Sequence, residues 1–294
     1  MRFLISLLFS LLLAVSAYSQ TTSELKETVD SLAKLNRVSG TDGCRTAMTY
    51  LKDRLAKLNY EVELQGFTYK RWEAHNILAT KKAPLDTVIV VGAHYDAVAG
   101  TPGADDNASG VAGVLTLATM LQAKTTRHII SFQLYAGEEQ GLIGSEFYCG
   151  HPKWPLDKHV FMLNLDMIGY LKVNSLVTAP KPPVDNILKV LFDKYGFARD
   201  ITLRDDPGSD NGSFQNRGIP VAFLHTGLHA NYHKKSDTSD KLNYNGMVAV
   251  CKYAFDLIQA LDKYDTPNYS VLKTSPVAQY SAILKDLPVI KIPQ

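Results

Sequence analysis

The chain has 294 residues, and its 31 lysines and arginines nearly balance its 29 aspartates and glutamates. This length fits one large domain with small extensions, and a net charge of +2 without a dense basic cluster argues against nucleic acid as a partner. The three cysteines, Cys44, Cys149 and Cys251, allow one disulfide and one free thiol, and their spacing matches no zinc knuckle.

Residues 1–19 have the pattern of a secretory signal. Arg2 precedes the apolar run FLISLLFSLLLAV, and small residues suited to cleavage, Ala17 and Ser19, follow it. The apolar run is short for a membrane span, and no basic cluster comes after it, so cleavage is favoured over a stable membrane anchor. We therefore expect a secreted or periplasmic protein whose mature chain begins at Gln20.

Helical and strand patterns follow in chain order. Helical spacing occurs over residues 23–36 and 44–58, and strands are predicted over YEVELQGFTYK and HNILATKK. Four apolar runs then have the composition of strands buried on both faces: DTVIVVGAH, HIISFQLYA, HVFMLNLDM and IPVAFLHTG. Helices are predicted between and after these runs over SGVAGVLTLATMLQAK, GLIGSEFYCG, DNILKVLFDKYG and KLNYNGMVAVCKYAFDLIQALDKY.

Strands that alternate with helices predict an α/β fold, in which helices cover both faces of a mostly parallel sheet. We expect this fold to form one domain over residues 20–265. Residues 266–294 contain four prolines and are predicted to form an extended tail.

Acidic residues and histidines follow all four of the predicted buried strands. Ligands bind beyond the carboxyl ends of the strands in such sheets, so these side chains should meet at one edge. Bare carboxylates crowded there would repel one another, and divalent cations would remove that repulsion. Histidine with carboxylate suits zinc, with manganese or cobalt as alternatives. The residues concerned are His94, Asp96, Asp105, Asp106, Glu138, Glu139, Asp166, His225, His229, His233 and Asp237.

Each of these residues also has an ordinary structural interpretation. A single histidine after a strand is usually a polar loop residue or a helix cap, and Asp105 and Asp106 could cap the helix from Ser109 onward. Adjacent glutamates usually lie on a solvated face. Asp166 fits such an interpretation less well, because it follows the apolar run FMLNL. The occurrence of all of them at the same end of successive strands favours a metal site.

Five motifs carry a resemblance to a known family. In order they are GAHYD, GADDNASG, GEEQG, NLDMIG and NYHKKSDT, within residues 25–262. This series resembles the co-catalytic zinc aminopeptidases of peptidase family M28. The resemblance implies the zinc-exopeptidase (phosphorylase/hydrolase-like) fold, a three-layer α/β/α arrangement around a mostly parallel, mixed sheet.

The resemblance also implies a site with two zinc ions. His94 and Asp166 would bind one ion, Glu139 and His233 would bind the other, and Asp106 would bridge the two. The activity it implies is that of an exopeptidase, most simply a monomeric aminopeptidase that hydrolyses peptide substrates by means of a metal-bridging hydroxide.

Further residues receive roles from the same resemblance. Asp96 is similar to the family's acid that orients the histidine ligand, and Glu138 matches its general base. The peptide bond Asp106–Asn107 is expected to be cis. Tyr232 could donate a hydrogen bond to the oxyanion, although a packing role is an equal alternative.

The segment GSDNGSFQNRGIP resembles the family's substrate-side segment, but Asn211 stands where many members have histidine. Asp210 in this segment could hold the N-terminal ammonium of a peptide, and its alternative is an ordinary loop or capping aspartate. The departure at Asn211 leaves the exact contacts of the segment open.

Other functions remain as alternatives. Glutaminyl cyclases share the fold but typically use one zinc, and the presence of both Glu138 and Glu139 together with YHKKSDT favours hydrolysis. A non-catalytic scaffold is less favoured, since all five ligand positions are filled. A serine hydrolase or a P-loop kinase would require G-x-S-x-G or G-x-x-x-x-G-K-[ST], and the chain contains neither.

Overall fold

In a computed structural model of the chain, the described residues are 19–171, 175–178, 185–200 and 208–263. The predicted signal sequence, apart from Ser19, lies outside these residues, and so does the predicted tail over 266–294. Within the described stretches, no helix is both long enough and apolar enough to cross a membrane. All three cysteines are buried and unpaired.

The described residues form eight strands and seven α-helices. The strands are β1 (Glu61–Tyr69), β2 (Trp72–Lys81), β3 (Val88–His94), β4 (Ile129–Tyr135), β5 (His159–Leu165), β6 (Ser175–Thr178), β7 (Ala198–Asp200) and β8 (Val221–His225). The helices are α1 (19–33), α2 (Asp42–Lys57), α3 (Gly110–Gln122), α4 (Ile143–Gly150), α5 (Asp185–Tyr195), α6 (Asn211–Gln215) and α7 (Tyr244–Leu261).

The strands form one mixed sheet in the order β1-β2-β4-β3-β5-β8-β6-β7. The four central strands β4, β3, β5 and β8 are mutually parallel, while β2 and β6 pair antiparallel to β4 and β8. The predicted α/β fold is confirmed. The sequence analysis missed β6 and β7, because strands of four and three residues are too short for a recognisable apolar run.

The central sheet is covered on both faces, which explains the continuous apolar runs. Along β3, Ile89 and Val91 point into the larger core, which contains residues of α1, α2, α3, α5 and α7. Val88 and Val90 point into the smaller core, which contains residues of α4 and α6. Because successive side chains alternate between two cores, every position of β3 before His94 is apolar or small.

Two helix boundaries differ from the prediction for identifiable reasons. Helix α1 ends at residue 33, three residues early, where the buried Arg37 side chain turns back and donates to the Leu32 carbonyl. Helix α4 begins two residues late, because Gly141 and Leu142 both adopt positive φ after a short 3₁₀ turn over Glu138–Gln140. That turn carries two of the candidate site residues.

The start of α3 approaches the end of β5 closely. A Cβ atom at Gly110 would lie 2.2 Å from the carbonyl oxygen of Leu165, so only glycine fits at this contact. The contact brings the irregular turn before α3, Ala104–Ser109, to the carboxyl edge of the central strands. The fold thereby delivers Asp106 to the edge where β3, β4 and β5 end.

Candidate metal centre

The parallel register brings three strand ends together. His94 is the last residue of β3 and pairs with Tyr135 at the end of β4, so Glu138 follows three residues beyond. On the other side of β3, Gly92 pairs with Asn164, which puts Asp166 beside His94 two residues later. The predicted convergence of these side chains at one sheet edge is present in the structure.

One cluster of candidate ligands lies directly at these strand ends. His94, Glu138 and Asp166 offer ligand atoms that all lie within 4.8 Å of one another. His94 Nε2 is 3.5 Å from Asp166 Oδ2 and 3.9 Å from Glu138 Oε2. We call this the strand-end cluster.

A second cluster combines the irregular turn, the 3₁₀ turn and the loop after β8. Asp106, Glu139 and His233 likewise offer ligand atoms within 4.8 Å of one another. His233 Nε2 is 3.0 Å from Asp106 Oδ2 and 3.4 Å from Glu139 Oε2. We call this the loop cluster.

Asp106 joins the two clusters through different oxygen atoms. Its Oδ1 is 3.4 Å from His94 Nε2, whereas its Oδ2 is 3.0 Å from His233 Nε2. A carboxylate that faces one imidazole on each side has the arrangement of a ligand shared by two ions.

The donor atoms fit metal ions in spacing and chemistry. Ligands about 2.1 Å from a tetrahedral ion lie about 3.4 Å apart, close to the separations within both clusters. Asp166 Oδ1 and Glu139 Oε1 are buried without a hydrogen-bond partner among the described residues. Because an unpaired buried carboxylate oxygen is unfavourable, a cation at each cluster would complete the site. Imidazole and carboxylate together are typical ligands of zinc.

Burial and mutual repulsion shift the titration of the acids. Burial, reinforced by neighbouring carboxylates, raises the pKa of Glu138 to about 10 and that of Glu139 to about 8. Burial also acts to raise the pKa of Asp106, but its contacts with His233 and His94 outweigh burial and lower that pKa. Burial acts to lower the pKa of His94, yet the surrounding carboxylates raise it well above its usual value.

Asp96 connects the strand-end histidine to the turn with the two glutamates. Its Oδ1 is 3.5 Å from His94 Nδ1, the atom that it would hold in its predicted orienting role. Its carboxylate also accepts hydrogen bonds from the backbone N–H groups of Glu138 at 3.2 Å and Glu139 at 3.4 Å. Fully buried, Asp96 therefore fixes the 3₁₀ turn, whereas His94 Nδ1 has no hydrogen-bond partner among the described residues, so the orienting role stays a prediction.

The irregular turn is held by Asp237, which the sequence pattern indicated only as a candidate metal-site residue. The bond Asp106–Asn107 is cis, as expected. Asp237 accepts hydrogen bonds from the backbone N–H groups of Asp105 at 3.0 Å and Asp106 at 3.2 Å. The contact joins residues more than 130 positions apart, so no local pattern in the sequence could have revealed it.

Arg37 is a second supporting residue, and the sequence analysis missed it. Its guanidinium is buried and donates to the carbonyl oxygens of Tyr95 at 3.0 Å, Pro102 at 2.9 Å and Gly103 at 2.8 Å, besides that of Leu32. Since Tyr95 follows His94 and Gly103 precedes the irregular turn, Arg37 ties these two segments together. Because arginine is rarely buried, the sequence around Arg37 gave no indication of this role.

A cavity of about 160 Å³ opens over both clusters. Four carboxylates line it together with the apolar side chains of Met167, Phe223 and Leu228, the last of which is 72% exposed. Tyr232 lines the cavity, as its predicted role requires, and its ring stacks on His233 with centroids 3.7 Å apart. The lining residues are Asp106, Glu138, Glu139, Asp166, Met167, Gly208, Phe223, His225, Leu228 and Tyr232.

Asp210 lies in a different environment from the one that its predicted role would need. It is fully buried and is not among the residues that line the cavity. Burial raises its pKa to about 7. It precedes α6 but makes no capping hydrogen bond there. Contact with a substrate ammonium would require access from the cavity, so the substrate-binding role stays a prediction.

Most of the chain is similar in sequence to known peptidases. The model of peptidase family M28 matches residues 76–258. Leupeptin-inactivating enzyme 1 of Streptomyces exfoliatus is 31% identical over 211 residues, which cover 70% of this chain and 48% of that protein. Probable leucine aminopeptidase 1 of Trichophyton verrucosum is 30% identical over 264 residues, which cover 78% of this chain and 70% of that protein. The chain thus spans about half of one relative and 70% of the other.

Solved structures share the fold. The zinc aminopeptidase BSAP from Bacillus subtilis superimposes with a TM-score of 0.76 at 16% identity, covering 85% of this chain and 97% of that chain. The glutaminyl cyclase of Porphyromonas gingivalis superimposes with a TM-score of 0.69 at 17% identity, covering 82% of this chain and 98% of that chain. At these identities the likeness establishes the fold, which aminopeptidase and cyclase share.

Proposed function

This chain belongs to peptidase family M28, and from that premise we propose that it is a zinc-dependent aminopeptidase with two ions per chain. The observation that carries the proposal is Asp106, whose two oxygens face His94 and His233 separately. A single-ion centre would need only one set of donors. Here Asp106 forms one set with His94 and Asp166 and another with Glu139 and His233, which leaves Glu138 free for proton transfer.

The ligands would divide between the two clusters. His94 and Asp166 would hold one ion, Glu139 and His233 would hold the other, and Asp106 would contact both. When bound, zinc ions supply an acidified water and positive charge that stabilises developing negative charge. Asp96 would keep the His94 ring in the orientation that this arrangement requires.

Glu138 is the proposed general base. It lines the cavity and adjoins His94 and Asp166, and burial raises its pKa. The raised pKa belongs to the metal-free site, in which Glu138 is protonated at neutral pH. Cations bound beside it would lower that pKa, so that the carboxylate could accept a proton from water and return it to the leaving amine. Tyr232, on the cavity wall, would donate its hydroxyl proton in a hydrogen bond to the substrate carbonyl oxygen.

The apolar residues that line the cavity support an apolar first residue in the substrate. Met167, Phe223 and Leu228 line the same cavity of about 160 Å³ as the four carboxylates. A volume of this order suits one side chain rather than a continuous peptide, which favours removal of a terminal residue. The names of the fungal relatives also favour leucine as a substrate residue.

Glutaminyl cyclisation is the second candidate function, because the P. gingivalis cyclase shares the fold. It is less favoured, since Glu139 and His233 form a second complete cluster with Asp106. Metal content of the purified protein separates the two: about two zinc ions per chain support the peptidase and about one supports the cyclase.

The deciding experiment assays leucyl-p-nitroanilide and a peptide with N-terminal glutamine, each with and without a chelator. We expect chelator-sensitive release of nitroaniline. Cyclisation of the glutaminyl peptide without hydrolysis of either substrate would contradict the proposal.

We further propose that the mature chain begins at Gln20, acts outside the cytoplasm and is a monomer. The signal-like pattern of residues 1–19 supports the cleavage and the location, and the monomeric state follows only from the family resemblance. N-terminal sequencing of the protein from culture fluid or periplasm, and sedimentation of the purified chain, would test it.

A further inference from the structure

The histidine of the loop cluster needs support that the strands do not provide. His233 lies in the loop between β8 and α7, has positive φ, and leaves 36% of its side chain exposed. Asp106, which it must meet, is almost fully buried in the irregular turn. An exposed loop residue keeps a fixed place against a buried turn only if neighbouring contacts hold the loop there.

A buried pair outside both clusters joins the same loop to the same turn. His229 Nε2 lies 3.0 Å from Asp105 Oδ2, and the two side chains are 4% and 0% exposed. Asp105 directly precedes Asp106, and His229 is four residues before His233. The other oxygen of Asp105 accepts from the Ser109 hydroxyl at 2.9 Å and the Gly169 N–H at 2.7 Å.

The hydrogen bonds of His229 define its tautomer. The backbone N–H of Asn231 donates to Nδ1 at 3.1 Å, so Nδ1 carries a lone pair and the proton is on Nε2. Nε2–H therefore donates to the Asp105 carboxylate in a charge-assisted hydrogen bond. The ring also stacks on Tyr170, with centroids 3.7 Å apart and planes 7° from parallel. The imidazole is thus fixed at both nitrogens and on one face.

The loop is fastened on both sides of His233. Four residues before it, His229 binds the Asp105 side chain, and four residues after it, Asp237 binds the backbone of the same turn. Backbone bonds from Tyr232 to His229 and from Asp237 to Lys234 make the intervening chain compact. A displacement at His229 would therefore be carried to His233.

We infer that Asp105 and His229 are positioning residues which hold the His233 loop on the Asp106 turn and so set metal affinity chiefly at the loop cluster. The inference rests on the proposed two-metal function. The strand-end cluster shares Asp106, but its other two proposed ligands are fixed by β3 and β5, because His94 ends one strand and Asp166 follows the other. Breaking the pair should weaken zinc binding at the loop cluster much more than at the strand-end cluster.

The test is a zinc titration of the metal-free full chain against a competing chelator. His229→Phe keeps a ring against Tyr170 but removes the donor to Asp105. Asp105→Asn keeps the shape of the side chain but presents an amide N–H₂ to Nε2–H. Each variant should bind one of its two zinc ions about 10- to 100-fold more weakly, the usual effect of removing a residue that orients a ligand. His233→Ala identifies the loop-cluster ion.

Two further variants separate positioning from general damage. His229→Gln retains an N–H donor toward Asp105 and should recover much of the lost zinc affinity. Thr87→Val removes the hydroxyl that lies 2.6 Å from Nδ1 of the buried His128, at the opposite edge of the sheet. It should leave both zinc affinities unchanged, although it also disturbs a buried histidine.

Different outcomes contradict the positioning role of Asp105 and His229 and the proposed two-metal centre. Zinc affinities within about twofold of wild type in both positions, or an equal loss at both, would overturn the positioning role. If His229→Phe does not fold, Asp105→Asn and His229→Gln decide the question. A wild-type chain that binds fewer than two zinc ions would instead contradict the proposed two-metal centre.

Discussion

The two halves of the candidate metal centre are built from different kinds of structure. The strand-end cluster is fixed by β-sheet register, and its histidine is 1% exposed. The loop cluster takes its histidine from an exposed loop that side-chain hydrogen bonds fasten to a buried turn. The apolar core determines the first half directly, whereas the second depends on a few polar contacts, each of which can be removed singly.

Substitutions of the neighbouring residues Glu138 and Glu139 should show most clearly that the strand-end cluster and the loop cluster have different functions. Glu138→Gln should lower kcat roughly 10²- to 10⁴-fold, because the variant loses its general base, while zinc content stays at the wild-type level. Glu139→Gln should instead lose zinc from the loop cluster. The measurements are steady-state turnover of leucyl-p-nitroanilide and zinc per chain.

Glu27→Gln, on the exposed surface of α1, is the matched control and should behave like wild type. Near-normal turnover in Glu138→Gln would remove that residue from the mechanism. Equal zinc loss in both site variants would show that the two halves are not independent.

Substitution of Arg37 tests the hydrogen bonds that hold the segments next to His94 and Asp106, on which both clusters depend. Arg37→Met would remove a donor from four carbonyl oxygens. Those of Leu32 and Gly103 keep backbone donors, from Leu35 and Ala108, whereas those of Tyr95 and Pro102 lose the donor described here, at a cost of about 1–3 kcal/mol for each group that water cannot reach. We expect the free energy of unfolding to fall by about 2 kcal/mol or more, measured by urea denaturation of the metal-free protein.

Arg45→Met, at an exposed position of α2, is the comparison and should change stability by no more than about 1 kcal/mol. If Arg37→Met matched it, the four hydrogen bonds would not be important for holding the turn before Asp106.

The difference between the two clusters also explains which site residues could be predicted from the sequence. Continuous apolar runs located β3 and β5, so His94 and Asp166 could be placed at strand ends from composition alone. His233 could be named as a candidate ligand after the fourth buried strand, but only the family resemblance joined it to Asp106. Asp105 and His229 were also candidate ligands, yet their pairing was not predicted, and Arg37 was not recognised, because burial of a polar group depends on partners distant in the chain.

The smallest expected effect concerns pH and the metal-free protein. Burial and crowding raise the pKa of Glu138 and Glu139, and neighbouring carboxylates raise the pKa of His94 and His233. A group whose pKa is raised by folding stabilises the folded protein at low pH. This contribution to the free energy of unfolding is lost as the pH rises through the pKa that the group has in the folded protein. Asp106, with a lowered pKa, contributes no slope above pH 6. Stability without metal should therefore decline from pH 6 to pH 9.

The expected decline in Tm is roughly 4 °C or more, since 1 kcal/mol corresponds to about 2–4 °C in a domain of this size. Thermal unfolding of chelator-treated protein at several pH values measures it. Because folding raises the pKa of Glu138 further than that of Glu139, Glu138→Gln should flatten the profile more. A Tm that stays constant or rises with pH would mean that the metal-free site relaxes and admits water, so that neither half holds its acids in the buried geometry described.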